Sequence, residues 1–269
     1  MFRFLLTRRW LGLLLAVLVV GIVCVELGQW QFRRYAERKE TNASITANLH
    51  ASPAPLERVM SQSSPPAAED EWRTVTATGS YDADAQIAVL YRTRAGAPGV
   101  DVVVPLVTPS GTALLVDRGW LATAGNGNDV GPLPRPPAGT VTVTGWVRRN
   151  AEGDETTPSD GKVRAISSTA IAAVLPYGVY DGFLDLTAEK PTVQPHPAVA
   201  VAPDLGSGPH FFYGLQWYFF AVLAFGFWCY FAWTEYRQHS AGPARARLER
   251  PGDAPVDREH RAGDVASSR

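Results

Sequence analysis

Two long apolar runs bracket a polar and alternating middle. The first, Leu11 to Leu27, is apolar until Glu26. As a helix it would extend about 25 Å, and adding Trp10 and Gly28 to Trp30 brings it close to the ~30 Å hydrocarbon thickness of a bilayer. Trp10 and Trp30 stand where interfacial anchors are expected. The second, Phe211 to Thr234, carries no charge and is long enough to span. The pattern predicts transmembrane helices over 11–30 and 211–234.

Between them, residues 31–71 read as a linker, rich in Ser, Ala, Pro and Asn from Thr41 to about Asp70, with one short helix around Ala54 to Ser61. From Trp72 the pattern changes to short runs with strand composition: Trp72–Ser80, Gln86–Arg92, Val100–Val107, Ala113–Leu121, Thr140–Val147 and Tyr180–Thr187. Gly, Pro and Asp turn signals separate them, including a long loop from Gly125 to Gly139. Ser167 to Leu175 reads as a short helix stopped by Pro176. The expected fold is two transmembrane α-helices flanking an α+β domain over 72–190. That domain is mostly antiparallel, a small barrel-like sheet with one short helix. A Pro-rich connector over 191–210 leads to the second span. Residues 235–269 are polar and poor in large apolar side chains, and read as a disordered tail.

Charge orients the spans. Arg and Lys flank both ends of the first, but no Lys or Arg lies between Lys190 and Arg237, whereas Arg237, Arg245, Arg247 and Arg250 follow the second. The positive-inside rule then places residues 1–10 and 235–269 in the cytoplasm and the middle of the chain outside it, a two-pass protein of the cell membrane. A cleaved signal peptide would need a small-residue cleavage site after the apolar run, and none of the A-x-A kind follows.

Composition narrows the chemistry. A formal net charge of −1 and the lack of a basic patch with interleaved aromatics exclude the usual nucleic-acid footprint. The two cysteines, Cys24 and Cys229, lie in apolar runs near opposite ends of their spans, in no metal-ligand spacing.

The second run holds thirteen aromatic residues between Phe211 and Trp233, more than an anchor needs and too many at mid-depth for interfacial belts alone. On a helix, His210, Tyr213, Gly214, Trp217, Ala221, Ala224 and Trp228 share one face. A neutral imidazole there could ligate a haem iron, or His210 could cap the helix among lipid headgroups. Gly21, Cys24 and Gly28 form a small-residue seam that could pack on Gly214, Ala221 and Ala224. Asp117-Arg118-Gly119-Trp120 ends a predicted strand, where Arg118 could make a buried ion pair under an aromatic cover or clamp a partner. Asp101 and Asp181 to Asp185 give no paired acid/base geometry, and His196 falls in a Pro-rich, solvated stretch.

Four motifs in order resemble the surfeit locus protein family, the cytochrome oxidase assembly factors. Leu27-Gly28-Gln29-Trp30-Gln31-Phe32-Arg33-Arg34 is similar to the family's ending of the first span. Arg94, Pro98-Gly99 and Pro105-Leu106 resemble its Arg…Pro-Gly…Pro-Leu stretch. Arg118-Gly119-Trp120 looks like its Arg-Gly-Trp, and His210, Tyr213, Gln216, Trp217 and Ala221 resemble its second-span signature. The resemblance covers roughly Leu11 to Tyr236. It implies a non-enzymatic membrane factor that assists insertion of haem a into the catalytic subunit of haem-copper oxidase, alongside other assembly factors. Haem a would be held transiently at His210, Tyr213 and Trp217, with His210 as the iron ligand. Gly28, Trp30, Gln31, Arg34, Arg118, Gly119, Trp120 and Gln216 would serve as structural or partner motifs. Two other readings stand beside it: an accessory structural subunit of the respiratory oxidase complex, and an anchored extracytoplasmic hydrolase.

Overall fold

A computed structural model of the chain describes residues 3–124 and 130–248. The chain divides into two compact units, Met1–Tyr35 with Gly208–Arg269, and Ala36–Ser207.

The first unit is helical. Helix α1 runs from Arg8 to His50, and its residues up to Tyr35 belong to this unit. A second long helix, α3, runs from His210 to Leu248. Both have a stretch long and apolar enough to cross a membrane, and their outer faces expose Leu15, Ile22, Phe212, Val222 and Phe227. Apolar side chains of this size cover little when left in water, and suit a hydrocarbon solvent. Of the tail expected over 235–269, residues up to Leu248 continue the helix and the rest lie outside the described residues.

The second unit is built on one eight-stranded sheet. Its strands are β1 (Ala54–Pro55), β2 (Thr74–Tyr81), β3 (Ile87–Arg94), β4 (Ala97–Val107), β5 (Ala113–Ala122), β6 (Thr140–Arg148), β7 (Lys162–Val163) and β8 (Val179–Lys190). A short helix α2 (Ser168–Ala172) precedes β8, capped by the Ser167 hydroxyl, which accepts from the Ala170 N–H. The order is β1-β2-β6-β8-β5-β4-β3-β7. Two differences from the expected sheet stand out. It is mixed, because β5 pairs with β8 in parallel, as do β1 with β2 and β3 with β7. Nor is it a closed barrel: β2 reaches β4 only at Ser80↔Val107 and Tyr81↔Leu106. The parallel β5–β8 pair needs a long crossover, supplied by the segment carrying β6, β7 and α2.

Alternation fills the interior. Val75, Leu106, Val116, Val143, Leu184 and Leu186 form one buried cluster, joined by Leu56 and Met60 from the segment before β2. A second cluster, with Val89, Leu115 and Phe183, lies under Ile171 of α2. The region read as a linker is therefore partly core, and helical as far as His50. Its Thr41 and Thr46 hydroxyls donate to the carbonyls of Glu37 and Asn42, keeping polar, weakly helix-forming residues inside the helix. Asn42 Nδ2 donates to the carbonyl of Leu205, and Asn48 Nδ2 to those of Glu69 and Glu71. The helix stops short of Pro53, which could not continue it.

Candidate functional site

In the helical unit the two end motifs meet side by side. Gly28 is buried against the ring of Tyr218; a Cβ at this position would come within 2.9 Å of it. Gly214 plays the reciprocal part, since its Cβ would stand 3.0 Å from the ring of Phe32. The two glycines let each helix receive an aromatic ring from the other, and Phe32 stacks on Tyr218 at 5.9 Å between centroids. Phe211 meets both Phe32 and Tyr35. At the far end Trp10, expected at the interface, is buried against Trp228 with ring centroids 6.1 Å apart. Of the small-residue seam, Cys24 and Gly28 are buried, while Gly21 has open space where a side chain would project.

This packing sets His210 beside Gln31. His210 Nδ1 lies 2.8 Å from Gln31 Oε1. A Nδ1–H donating to that amide oxygen leaves the imidazole lone pair on Nε2. Trp217 is half-buried and meets Phe220 edge-on at 5.9 Å. Tyr213 and Trp30 are about half exposed, at 48% and 47%, and Arg34 and Gln216 are also at the surface. Gln216 lines an apolar groove of about 600 Å³ with Phe212, Leu215, Tyr218 and Phe219.

In the β unit, Arg118, Gly119 and Trp120 have separate duties. Arg118 is fully buried. Its Nη2 lies 2.8 Å from Glu189 Oε1 and its Nε 3.2 Å from Oε2, a bidentate pair between β5 and β8. Tyr81 donates to Glu189 Oε2 at 3.0 Å and lies under the guanidinium, and His196 Nε2 reaches Glu189 Oε1 at 3.0 Å. Burial, and then the Glu189 charge, push the Tyr81 hydroxyl far above its ordinary range. Gly119 has φ +124°, and a Cβ there would overlap the carbonyl of Ala198. Trp120 and Ala198 exchange backbone hydrogen bonds at 2.9 and 2.8 Å, and Arg94 donates to the carbonyls of Ala198 and Val199. The Arg-Gly-Trp strand end thus pins the Pro-rich connector.

A cleft of about 490 Å³ opens beside this strand, lined by Arg92, Asp101, Asp117, Trp120, Arg148 and Asp185 among others. The register brings the carboxylates together: Asp117 pairs with Asp185 across β5–β8, and Asp101 with Trp120 across β4–β5. These separations of 16 to 84 residues hide the cluster from a reading along the chain. Arg92 contacts Asp101 at 2.8 Å and Arg148 contacts Asp185 at 2.7 Å. Asp117 accepts from the Gly119 N–H at 2.9 Å. Burial raises all three carboxyls above their ordinary range, Asp117 furthest, with the charges of Asp101 and Asp185 adding to it.

A family model described as the SURF1 family matches residues 18–222. The chain belongs to the SURF1 family. It is 33% identical over 261 residues to an uncharacterized SURF1-like protein of Mycobacterium bovis, covering 95% of this chain and 92% of that one. The match to an uncharacterized SURF1-like protein of Mycobacterium tuberculosis has the same figures. A SURF1-like protein of Monosiga brevicollis is 25% identical over 245 residues, covering 83% and 89%.

Both halves of the His210–Gln31 contact fall inside the region matched to the SURF1 family. The donor set suits a haem iron in one respect. A metal-bound His usually presents one nitrogen to the metal and anchors the other on a carbonyl or carboxylate, which fixes the ring and its tautomer. Gln31 is such an anchor for Nδ1.

Proposed function

We propose that this SURF1-family membrane protein assists assembly of cytochrome oxidase by handling haem a at the His210 end of its helix pair. Assembly of cytochrome oxidase is the family's general role. The single observation that carries the finer reading is the 2.8 Å contact between His210 Nδ1 and Gln31 Oε1, which joins the two span motifs and leaves Nε2 as the ligating atom. Haem a is cargo in this reading, and the oxidase's catalytic subunit is its destination.

The chain's own residues would bind and release. His210 offers one axial nitrogen, held in orientation by Gln31. The exposed ring of Tyr213 and the half-buried Trp217, on the same face of the helix as His210, offer flat apolar surface along that face. A single imidazole with aromatic support holds a porphyrin less firmly than two strong ligands, as a transfer step requires. The β unit extends on the side away from the cytoplasm in the orientation that the flanking charges favour, with both termini cytoplasmic.

Deletion of the chain tests the role: it is expected to lower oxidase activity and the haem a signal of the membranes. Purification of the full chain after co-expression with haem a synthesis tests the ligand. Bound haem whose spectrum changes in His210→Ala supports it; haem unaffected by that change removes His210 from the ligand role and leaves the assembly role standing. Persistent stoichiometric recovery with the mature oxidase would favour the accessory-subunit reading instead.

A further inference from the structure

A second groove lies on the helix pair, lower than His210 and unconnected with the handling of haem. It has a volume of about 370 Å³ and is lined by Val17, Leu18, Gly21, Ile22, Ala221 and Phe225, with Glu26 at its edge. Glu26 is exposed and, among the described residues, has no hydrogen bond or ion pair. It sits four residues before Trp30, about 6 Å further into the span along the helix. The apolar stretch of α3, Phe211 to Thr234, carries no charged residue to neutralise it.

A bare carboxylate at the wall of an apolar groove is costly in a bilayer, and such a group marks a partner or a path by default. The groove has the shape for a helix: Gly21 has open space at its Cβ position, and Ile22 and Phe225 are exposed on either side. We propose that this groove receives a transmembrane helix of another protein that carries a Lys, Arg or His at the level of Glu26. The charge selects the occupant. A second copy of this chain docking through the same groove in two-fold fashion would bring two Glu26 carboxylates together, which like-charge repulsion disfavours. The proposal goes beyond the haem reading and stands or falls without it.

The test uses the full-length chain in its own membranes, with a photo-crosslinking residue at Ile22 or, as a control, at Val20 on the opposite side of α1. Irradiation at Ile22 is expected to yield an adduct with a peptide from another protein's transmembrane segment, with a cationic residue within one helical turn of the adduct. Glu26→Gln should lower that yield about tenfold, with unchanged chain abundance on an immunoblot. Glu26→Lys paired with a Glu at the partner's cation should restore it. Adducts to lipid alone, to a second copy of the chain, or to a segment without a cation would overturn the proposal. So would a yield at Ile22 that Glu26→Gln does not change.

Discussion

His210 and Gln31, 179 positions apart in the chain, meet side chain to side chain at 2.8 Å. The glycines on either side of them make this contact reachable. Gly28 and Gly214 remove the two side chains that would hold the helices apart, and Tyr218 and Phe32 fill the space. If Gln31 orients the imidazole, its acceptor oxygen is what matters. Gln31→Leu should weaken haem retention by the purified chain about 10–100-fold, whereas Gln31→Glu, which keeps an acceptor, should retain it. Spectral titration with haem a reads both, and equal retention by Gln31→Leu would remove the orienting role.

The same helix pair separates two glycines by consequence. Gly28→Leu must displace Tyr218 and should cost about 1–3 kcal/mol of helix-pair stability. Gly21→Ala meets open space and should stay within about 0.5 kcal/mol of the parent. Thermal unfolding in detergent compares them.

Arg118 and Glu189 make a prediction for the β unit. Arg118→Leu leaves Glu189 buried without its guanidinium, and a broken buried pair costs about 3–5 kcal/mol. Arg118→Lys keeps the charge but loses the two-pronged contact, so it should rescue only part of that loss. Denaturant unfolding followed by near-ultraviolet circular dichroism would show the order parent, Lys, Leu.

Asp117 supplies a pH dependence. Burial holds its carboxyl well above the ordinary range in the folded chain, while the unfolded chain titrates it near pH ~4. The folded state therefore binds this proton more tightly. Its contribution to stability is full below about pH 4 and is lost as pH rises through the raised value. Asp117→Asn should raise the melting temperature at pH 7 and change it much less at pH 4. Equal shifts at the two pH values would contradict this.

The strands of the β unit were legible because their alternation is regular: Ala113–Leu121 was expected and Ala113–Ala122 is found, with Thr140–Val147 against Thr140–Arg148. Pairing direction was not legible. Nothing in the side chains of β5 and β8 distinguishes a parallel from an antiparallel neighbour, so the mixed sheet appears only in the register. The helix beyond Tyr35 escaped detection because its contacts run through the amides of Asn42 and Asn48 rather than through an apolar stripe. The span motifs are visible in the sequence, and of the small-residue seam Cys24 and Gly28 are buried while Gly21 meets open space. The contact between His210 and Gln31 depends on which faces the two helices turn to each other, and the aspartate cleft on strand register. Neither is written in local spacing.

The most direct test is the reduced-minus-oxidised spectrum of membranes from a deletion strain, alone and complemented. The account predicts a diminished haem a band on deletion, restored by the full chain and not by His210→Ala present at equal abundance. A haem a band of normal height in the deletion strain would contradict the assembly role, and full restoration by His210→Ala would contradict the site.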